Sequence, residues 1–560
     1  MGDSFVYNNS LESNENEFLF ENKVYTQVPD SNNGSYPIGQ INFSLESLGN
    51  NGRINAYNEY YVEIPLVANL ELTGATTSSV ENAFAVSFKN GFHQLINSVD
   101  VKIGGNSLTN LTNFSNLDIN YRILTTSSKD DEATILPSIG FHKDSSESIS
   151  YQQVGSTVGI GECNNKISDA VFTSAGGWGS TSYGANKGRI RRCMQTGFNP
   201  IGGTQAVWVG ANALNSATSG KNHVVFVPPV GANTTSIQYN VIATLRLSDL
   251  HDVFRKLPMV RSSFMTITLN TNCQCSSTMT LTAGSTFDTC VTNSINGTFP
   301  LMISPLTAGQ GAVLTGTTKA VLSLGIAKSL NGQFNHPTMT SCRMFAAQYI
   351  MSPVAEQRYF SQLPVKKVAY NDILNYSVMN VASGAQVNYT LNNSVTRPRY
   401  LLMIPQLSAS VNGSTVLNTY TAGQQIGSTA NSPFSSSPAT TCPYAVVSNF
   451  NVFLSSSPLY IQNITYGFEH FLNEVRGSNC INGGVELGMS NGLISQQEWE
   501  GGYRFYYTDL SRKASQSDDD KGRSLSVIFT NSSPAVMDYQ FIVAYEREVS
   551  ISTSTGSLVV

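Results

Sequence analysis

The sequence predicts an all-β protein made of two copies of one β domain, and three observations carry that prediction. Apolar residues recur mostly with period two. Stretches with helical period are few and short. Five blocks of the first half return in the same order in the second. Period two sends alternate side chains to opposite faces of a strand, so one face can be buried while the other meets water.

The strands are legible in QYNVIATLRL, where Tyr239, Val241, Ala243, Leu245 and Leu247 share one face, and in SFMTITL, where Met265, Ile267 and Leu269 alternate with Phe264, Thr266 and Thr268. Leu525, Val527 and Phe529 do the same near the C-terminus, followed by Phe541, Val543 and Tyr545. β-branched and aromatic residues suit such positions, and clusters of Gly, Asn, Ser and Pro between the runs supply turns. Three short helices are expected. Phe114, Leu117, Tyr121 and Leu124 fall on one helical face of FSNLDINYRIL. Phe468, Phe471, Leu472 and Val475 do so in YGFEHFLNEV, and a single turn covers DLHDVF before Pro258.

The repeat organises these elements. EIPLVANL (63–70) is echoed by MIPQL (403–407), and VDVKIGGNSLTN (99–110) by FNVFLSSSPLYIQN (450–463), each of the latter followed by an amphipathic helix. LRLSDL (245–250) returns as FYYTDL (505–510), matching Asp249 to Asp509, and RSSFMTITLNTN as RSLSVIFTNSS. Colinear repetition implies duplication of a domain. Val101 and Asp249 lie 148 positions apart, but Val452 and Asp509 only 57, so the first copy carries about 90 extra residues. They fall at about 145–235, with a smaller insertion at about 408–441 in the second copy; loops this long belong on the surface. The expected division is an acidic arm at 1–24, a first domain at 25–310, a linker at 311–335, a second domain at 336–550 and a tail at 551–560.

Of 560 residues only 12% are charged, against about 25% in an average domain, and 53 Asn and 45 Gly help fill the shortfall. With 41% apolar residues the chain has the material for full cores. No apolar run is long enough for a transmembrane helix. The N-terminus reads as neither a signal peptide nor, with Val6 where Ser or Thr belongs, a myristoylation site. A net charge of −5 argues against binding nucleic acid through the protein's own surface, which phosphate contacts would make basic.

Catalytic chemistry finds little footing. No phosphate-binding loop, zinc-protease helix or nucleophile elbow occurs, and the nearest glycine motif, at Gly159, lacks its third glycine. Eight scattered cysteines read as free thiols, with no C-x-x-C pair to suggest a zinc ribbon. The histidines are dispersed, and His251 beside Asp252 reads as a solvated helix face. Glu498 and Glu500 flank Trp499 at strand spacing, so both carboxylates fall on one polar face; an acid/base pair is the rival reading. Asp518, Asp519 and Asp520 lack the alternation of a calcium loop. Lys187, Arg189, Arg191 and Arg192 cluster in the large insertion, where a solubilising loop competes with a contact to phosphate, sulfated glycan or a neighbouring subunit. No catalytic, cofactor-binding or metal-binding residue is assigned, and no cofactor is expected.

Taken together, TRPRYLLMIPQL (396–407), FNVFLSSSPLYIQNITYGFEHFLNEVRG (450–477), GLISQQEWEGGYRFYYTDLSRK (492–513), YQFIVAYEREVSI (539–551) and IATLRLSDLHDVFRKLPMVRSSFMTITLN (242–270) resemble the double jelly-roll major capsid proteins of virophages and polinton-like viruses, relatives of the adenovirus hexon and of large-DNA-virus capsid proteins. The resemblance implies two tandem eight-stranded antiparallel jelly-roll sandwiches with short connecting helices. It further implies a homotrimeric, pseudo-hexagonal capsomer tiling an icosahedral shell around a double-stranded DNA genome. The implied partners are the chain itself, penton proteins and minor capsid proteins, with the acidic arm beneath the trimer and no sequence-specific nucleic-acid binding. The implied place is the virion capsid, assembled inside the host cell, and the implied role is structural, not enzymatic. The alternatives are a secreted carbohydrate-binding or glycoside-cleaving β-sandwich protein and a viral receptor-binding spike. The first wants a signal peptide, aromatic platforms and paired carboxylates; the second wants a shaft and one terminal head.

Overall fold

The computed structural model describes residues 19–49, 52–73, 84–143, 151–152, 162–163, 193–194, 223–227, 234–261, 264–273, 275–281, 287–294, 300–305, 319–326, 341–362, 364–407, 445–481, 492–511, 521–533 and 536–559. Each half of the chain contributes eight antiparallel strands in one common arrangement. In the first half these are Phe20–Pro29, Gln40–Ser44, Tyr61–Thr73, Ile96–Ile103, Asn106–Ser107, Thr234–Arg246, Met265–Thr271 and Arg343–Met351. In the second they are Val365–Val381, Gln386–Val395, Pro398–Leu407, Val447–Leu454, Ser457–Pro458, Tyr506–Asp509, Arg523–Asn531 and Met537–Ser552. In both, the first, eighth, third and sixth strands form one sheet, and the second, seventh, fourth and fifth form the facing sheet. That interleaving is the jelly roll.

The alternation read from the sequence is what lets the sheets pack. Met265, Ile267 and Leu269 are fully buried while their neighbours look outward, and Leu525, Val527 and Phe529 repeat the pattern. Each such side chain contributes roughly 1.5–3 kcal/mol by leaving water. Hairpins between the fourth and fifth strands show how the two copies diverge. In the first, Gly104 and Gly105 take the left-handed backbone that a two-residue hairpin turn demands; in the second, Ser455 and Ser456 hold it, at φ of 50° and 67°.

All three expected helices are present. Ser115–Thr126 and Phe468–Ile481 follow the equivalent hairpins, and DLHDVF folds as two short helices, Leu247–Leu250 and Asp252–Lys256.

The division of the chain differs from the expected one. Arg343–Met351, assigned by the sequence to the second domain, pairs along Phe20–Pro29 and with the start of Tyr61–Thr73. The first roll therefore runs from Phe20, inside the expected arm, to Met351, and helix Pro353–Gln362 leads into the second roll. Lys319–Ile326, expected as linker, pairs with Tyr61–Thr73, and Leu558–Val559, expected as tail, pairs with Ser550 and Ile551. Closing a roll requires its last strand to return between the first and third. Local alternation in RMFAAQYIM cannot say which sheet receives it.

The first roll also carries an insertion that the repeat did not reveal. It lies between the seventh and eighth strands and includes Cys275–Leu281, Phe287–Ser294, Leu301–Pro305 and Lys319–Ile326. Of the expected 145–235 insertion, the described residues show only short strands, among them His223–Val227 against Thr234–Arg246. The 408–441 insertion lies outside the described residues.

Register corrects two sequence matches. In each roll a backbone N–H beyond the sixth strand reaches the residue just before or at the start of the third: Leu247 N to Tyr60 O at 2.9 Å, and Leu510 N to Arg399 O at 3.0 Å. Tyr61 thus corresponds to Tyr400 and Ile64 to Met403. The matching Ile-Pro dipeptides are one residue out of step, and Asp509 corresponds to Arg246, not to Asp249. A one-residue slip exchanges the two faces of a strand, so burial decides the register.

Candidate functional site: the seam between the rolls

The sites suggested by single motifs do not converge. Glu498 and Glu500 lie on a helix, Gln496–Gly502, not on a strand. Glu498 closes a capping box with Ser495 and pairs with Lys143, while Glu500 accepts a hydrogen bond from Gln496. Trp499 between them is buried, its indole N–H donating to Phe505 O at 3.0 Å. The Ser-x-x-Glu spacing was the available helix signal. Cys273 and Cys342 are buried free thiols. Among the described residues no group of three or more His, Cys, Asp or Glu side chains is placed to hold a metal ion. Gly159, the basic run from Lys187 to Arg192, and Asp518 to Asp520 lie outside the described residues.

The concentrated polar chemistry lies instead where the two rolls meet. Asp372, on the long first strand of the second roll, is fully buried. Its carboxylate accepts from Asn110 N at 3.0 Å and from the Arg547 guanidinium at 3.1 Å. His251 Nε2 lies 3.4 Å away. His251 was expected on a solvated helix face. It is buried because its helix turns it into the seam, where Nδ1 accepts from Val253 N at 3.2 Å. An accepting Nδ1 puts the ring proton on Nε2, facing Asp372. Burial alone would raise the Asp372 carboxyl; His251, the Ile373 N–H and Arg547 outweigh it and hold the group below the usual carboxylate range.

First-roll backbone completes the cluster. Leu108 O accepts from Tyr370 Oη at 2.6 Å and from Arg547 at 3.0 Å, and Ser107 O accepts from Arg547 at 3.1 Å. Asn110 Nδ2 donates to Tyr545 Oη at 2.6 Å, and Asp252 accepts from Asn371 N at 3.0 Å. Five more contacts extend the seam. Tyr400 Oη donates to Asp118 at 2.9 Å, and Asp118 also holds Arg122 at 2.8 Å. The ring of Tyr121 lies 4.3 Å from that of Phe505. Lys143 Nζ donates to Leu493 O at 2.7 Å as well as to Glu498. Leu493 N donates to Leu124 O at 2.8 Å near the end of helix Ser115–Thr126. Gly492, at φ +75°, is what lets that strand of backbone come so close, because a Cβ there would overlap the Leu124 carbonyl.

Sequence reading passed over Asp372, Arg547, Asn110, Lys143 and Gly492. One signal was present: Val368, Tyr370 and Asp372 share one face, as do Phe541, Val543, Tyr545 and Arg547. An acid and a base each continue an apolar stripe, and buried charges of that kind have partners. The partner's backbone could not be read. The seam joins the two rolls through directional hydrogen bonds and buried ion pairs.

Neither family models nor curated proteins match the chain. Solved structures do. A chain of the Sputnik virophage is similar over 98% of this chain and 91% of its own, with TM-score 0.53 and 11% identity. The mavirus major capsid protein is similar over 96% and 89%, with TM-score 0.41 and 10% identity. The Faustovirus major capsid protein is similar over 97% and 92%, with TM-score 0.44 and 11% identity. At such identity the likeness is one of fold. Two rolls of one strand order, matched together over nearly the whole length of the virophage chain, make this a double jelly-roll protein.

Proposed function

We propose that the protein is a major capsid protein, assembling as a homotrimeric, pseudo-hexagonal capsomer that tiles an icosahedral shell around a double-stranded DNA genome. One observation carries the reading: two rolls of identical strand order are locked together by a buried seam, so each rigid chain offers two similar sides. Three chains in a ring then present six, the outline that packs a flat facet. Near-full-length likeness to a chain of a virophage particle supports the same reading. A chain with 12% charged residues and a net charge of −5 suits dense packing, because many identical neighbours repel little and weak lateral contacts gain from multivalency. The partners are further copies of the chain, penton proteins and minor capsid proteins; its place is the virion.

Light scattering after size exclusion, followed by electron microscopy of the peak, tests this. A species of three times 60.5 kDa with hexagonal outline is expected. A monomer that persists at every concentration, and with co-assembly partners added, would overturn it.

A further inference from the structure

The intrachain seam has an open counterpart. Because Tyr61 corresponds to Tyr400, cross-strand pairing makes Phe345 the counterpart of Ala544 and Gln27 that of Ile373. In the second roll this outward sheet face is closed by the first roll. Tyr400 is 8% exposed with its hydroxyl on Asp118 of helix Ser115–Thr126, and Ile373 O accepts from Asn110 and Thr112. In the first roll the same face is more open among the described residues. Tyr25 is 48% exposed, Gln27 is exposed, and Tyr61, Phe345 and Tyr349 are half-buried. Their rings form one cluster: Tyr61 stacks on Phe345 at 4.8 Å, Tyr25 meets Tyr61 at 6.0 Å, and Lys23 Nζ lies 5.0 Å above Tyr25 and 5.3 Å from Tyr349. Clustered tyrosine and phenylalanine on a sheet face is the composition of a protein–protein contact.

The element that would cover it is also duplicated. Leu108 N donates to Val101 O and Leu459 N to Val452 O, each at 2.7 Å, so the loops after the two hairpins leave their sheets alike. Two residues on, Asn110 enters the seam, whereas Ile461 is 99% exposed. Helix Phe468–Ile481 follows Ile461 as helix Ser115–Thr126 follows Asn110; Lys23 on the open face already pairs with Glu59 of its own chain, so the apolar rings rather than charge offer the contact.

We propose that Ile461 and helix Phe468–Ile481 of one copy dock on the Tyr25, Tyr61, Phe345 and Tyr349 face of the next, repeating between chains the step that the seam makes within one. This rests on the trimeric reading above and supplies its contact. The contact is heterologous, and repetition of its step closes a ring where the rotation is a whole fraction of a turn, a sixth in the trimeric reading. With two rolls per chain, a ring of six holds three copies. Ile461 lands beside Gln27, as Asn110 lands beside Ile373.

The test is cross-linking of full-length Gln27→Cys/Ile461→Cys protein under a mild oxidant, read on a non-reducing gel against each single variant. A covalent ladder ending at the trimer, found only in the double variant, is expected. Ile461→Asp should give a monomer with unchanged circular dichroism, since a side chain 99% exposed contributes little to the isolated fold, and with a melting temperature that no longer depends on protein concentration. A wild-type trimer that yields no such cross-link, or an Ile461→Asp protein that stays trimeric, would overturn this contact and leave the trimer standing. A wild-type protein that never leaves the monomer would overturn both.

Discussion

Asp372 of the second roll and His251 of the first face each other across the seam, Oδ1 to Nε2 at 3.4 Å, and both are buried. His251 also caps helix Asp252–Lys256, whose Asp252 accepts from Asn371 N. One short helix is thereby tied to the opposite roll by both its cap and its first residue. Replacing Asp372 with Ala leaves Arg547, Asn110 N and the histidine without their common acceptor. The expected cost is about 3–5 kcal/mol, read as a lower denaturation midpoint. Separate unfolding of the two rolls should appear as a second transition. An unchanged midpoint would mean that the seam is not held by this carboxylate.

Acid should act through the same groups. Asp372 and Glu498 both titrate below their ordinary values, Glu498 because Lys143 and the Ser495 cap outweigh its burial. A carboxyl depressed in the folded state contributes stability that is complete above its unfolded pKa, about 4, and fades as pH falls through the folded value. Melting temperature should therefore keep these contributions from pH 7 to about 4.5 and lose them below 4. The gap between wild type and Asp372→Asn should close over that acid range. A gap that closes by pH 6 would point to another group.

Gly492→Ala should be among the most damaging small substitutions. It adds a Cβ against the Leu124 carbonyl at a backbone angle that L residues rarely adopt, at an expected cost of 2 kcal/mol or more. Hydrogen exchange reads it directly, because the Leu493 amide loses protection as its bond to Leu124 O opens. Retained protection at Leu493 would contradict the close approach.

The second-roll hairpin can be improved. Ser455 and Ser456 occupy left-handed backbone that Asn-Gly adopts without strain, and their side of the hairpin is exposed. Ser455→Asn/Ser456→Gly should gain about 1 kcal/mol, measured by chemical denaturation. The same pair placed at Gly104 and Gly105 should gain much less, since glycine already fits there.

Cys273 and Cys342 should ignore thiol reagents in the folded protein. Burial pushes the Cys273 thiol up to about 12 and raises Cys342 as well, against a small opposing effect of Thr271 and Tyr36 respectively. Thiolate is the reactive form, so labelling of these two positions at pH 8 should track global unfolding. Rapid labelling of either under native conditions, followed by peptide mapping, would show the site to be open.

The sequence by itself determined the class, the duplication and most strands. Those properties are written in local alternation and in colinear blocks such as VDVKIGG and FNVFLSS. It also determined the helices at Ser115–Thr126 and Phe468–Ile481, whose apolar residues keep helical spacing. Tertiary structure decided the rest. Arg343–Met351 has the same alternation whichever roll receives it, and only ring-closure of the first sheet sends it to Phe20–Pro29. Trp499 and its flanking glutamates alternate like a strand, yet the Ser495 cap and the packing of Trp499 make a helix. His251 and Asp372 are 121 positions apart, and nothing local marks them as neighbours. Periodicity records which way a side chain faces relative to its own element; what it faces is set by the docking of one element on another.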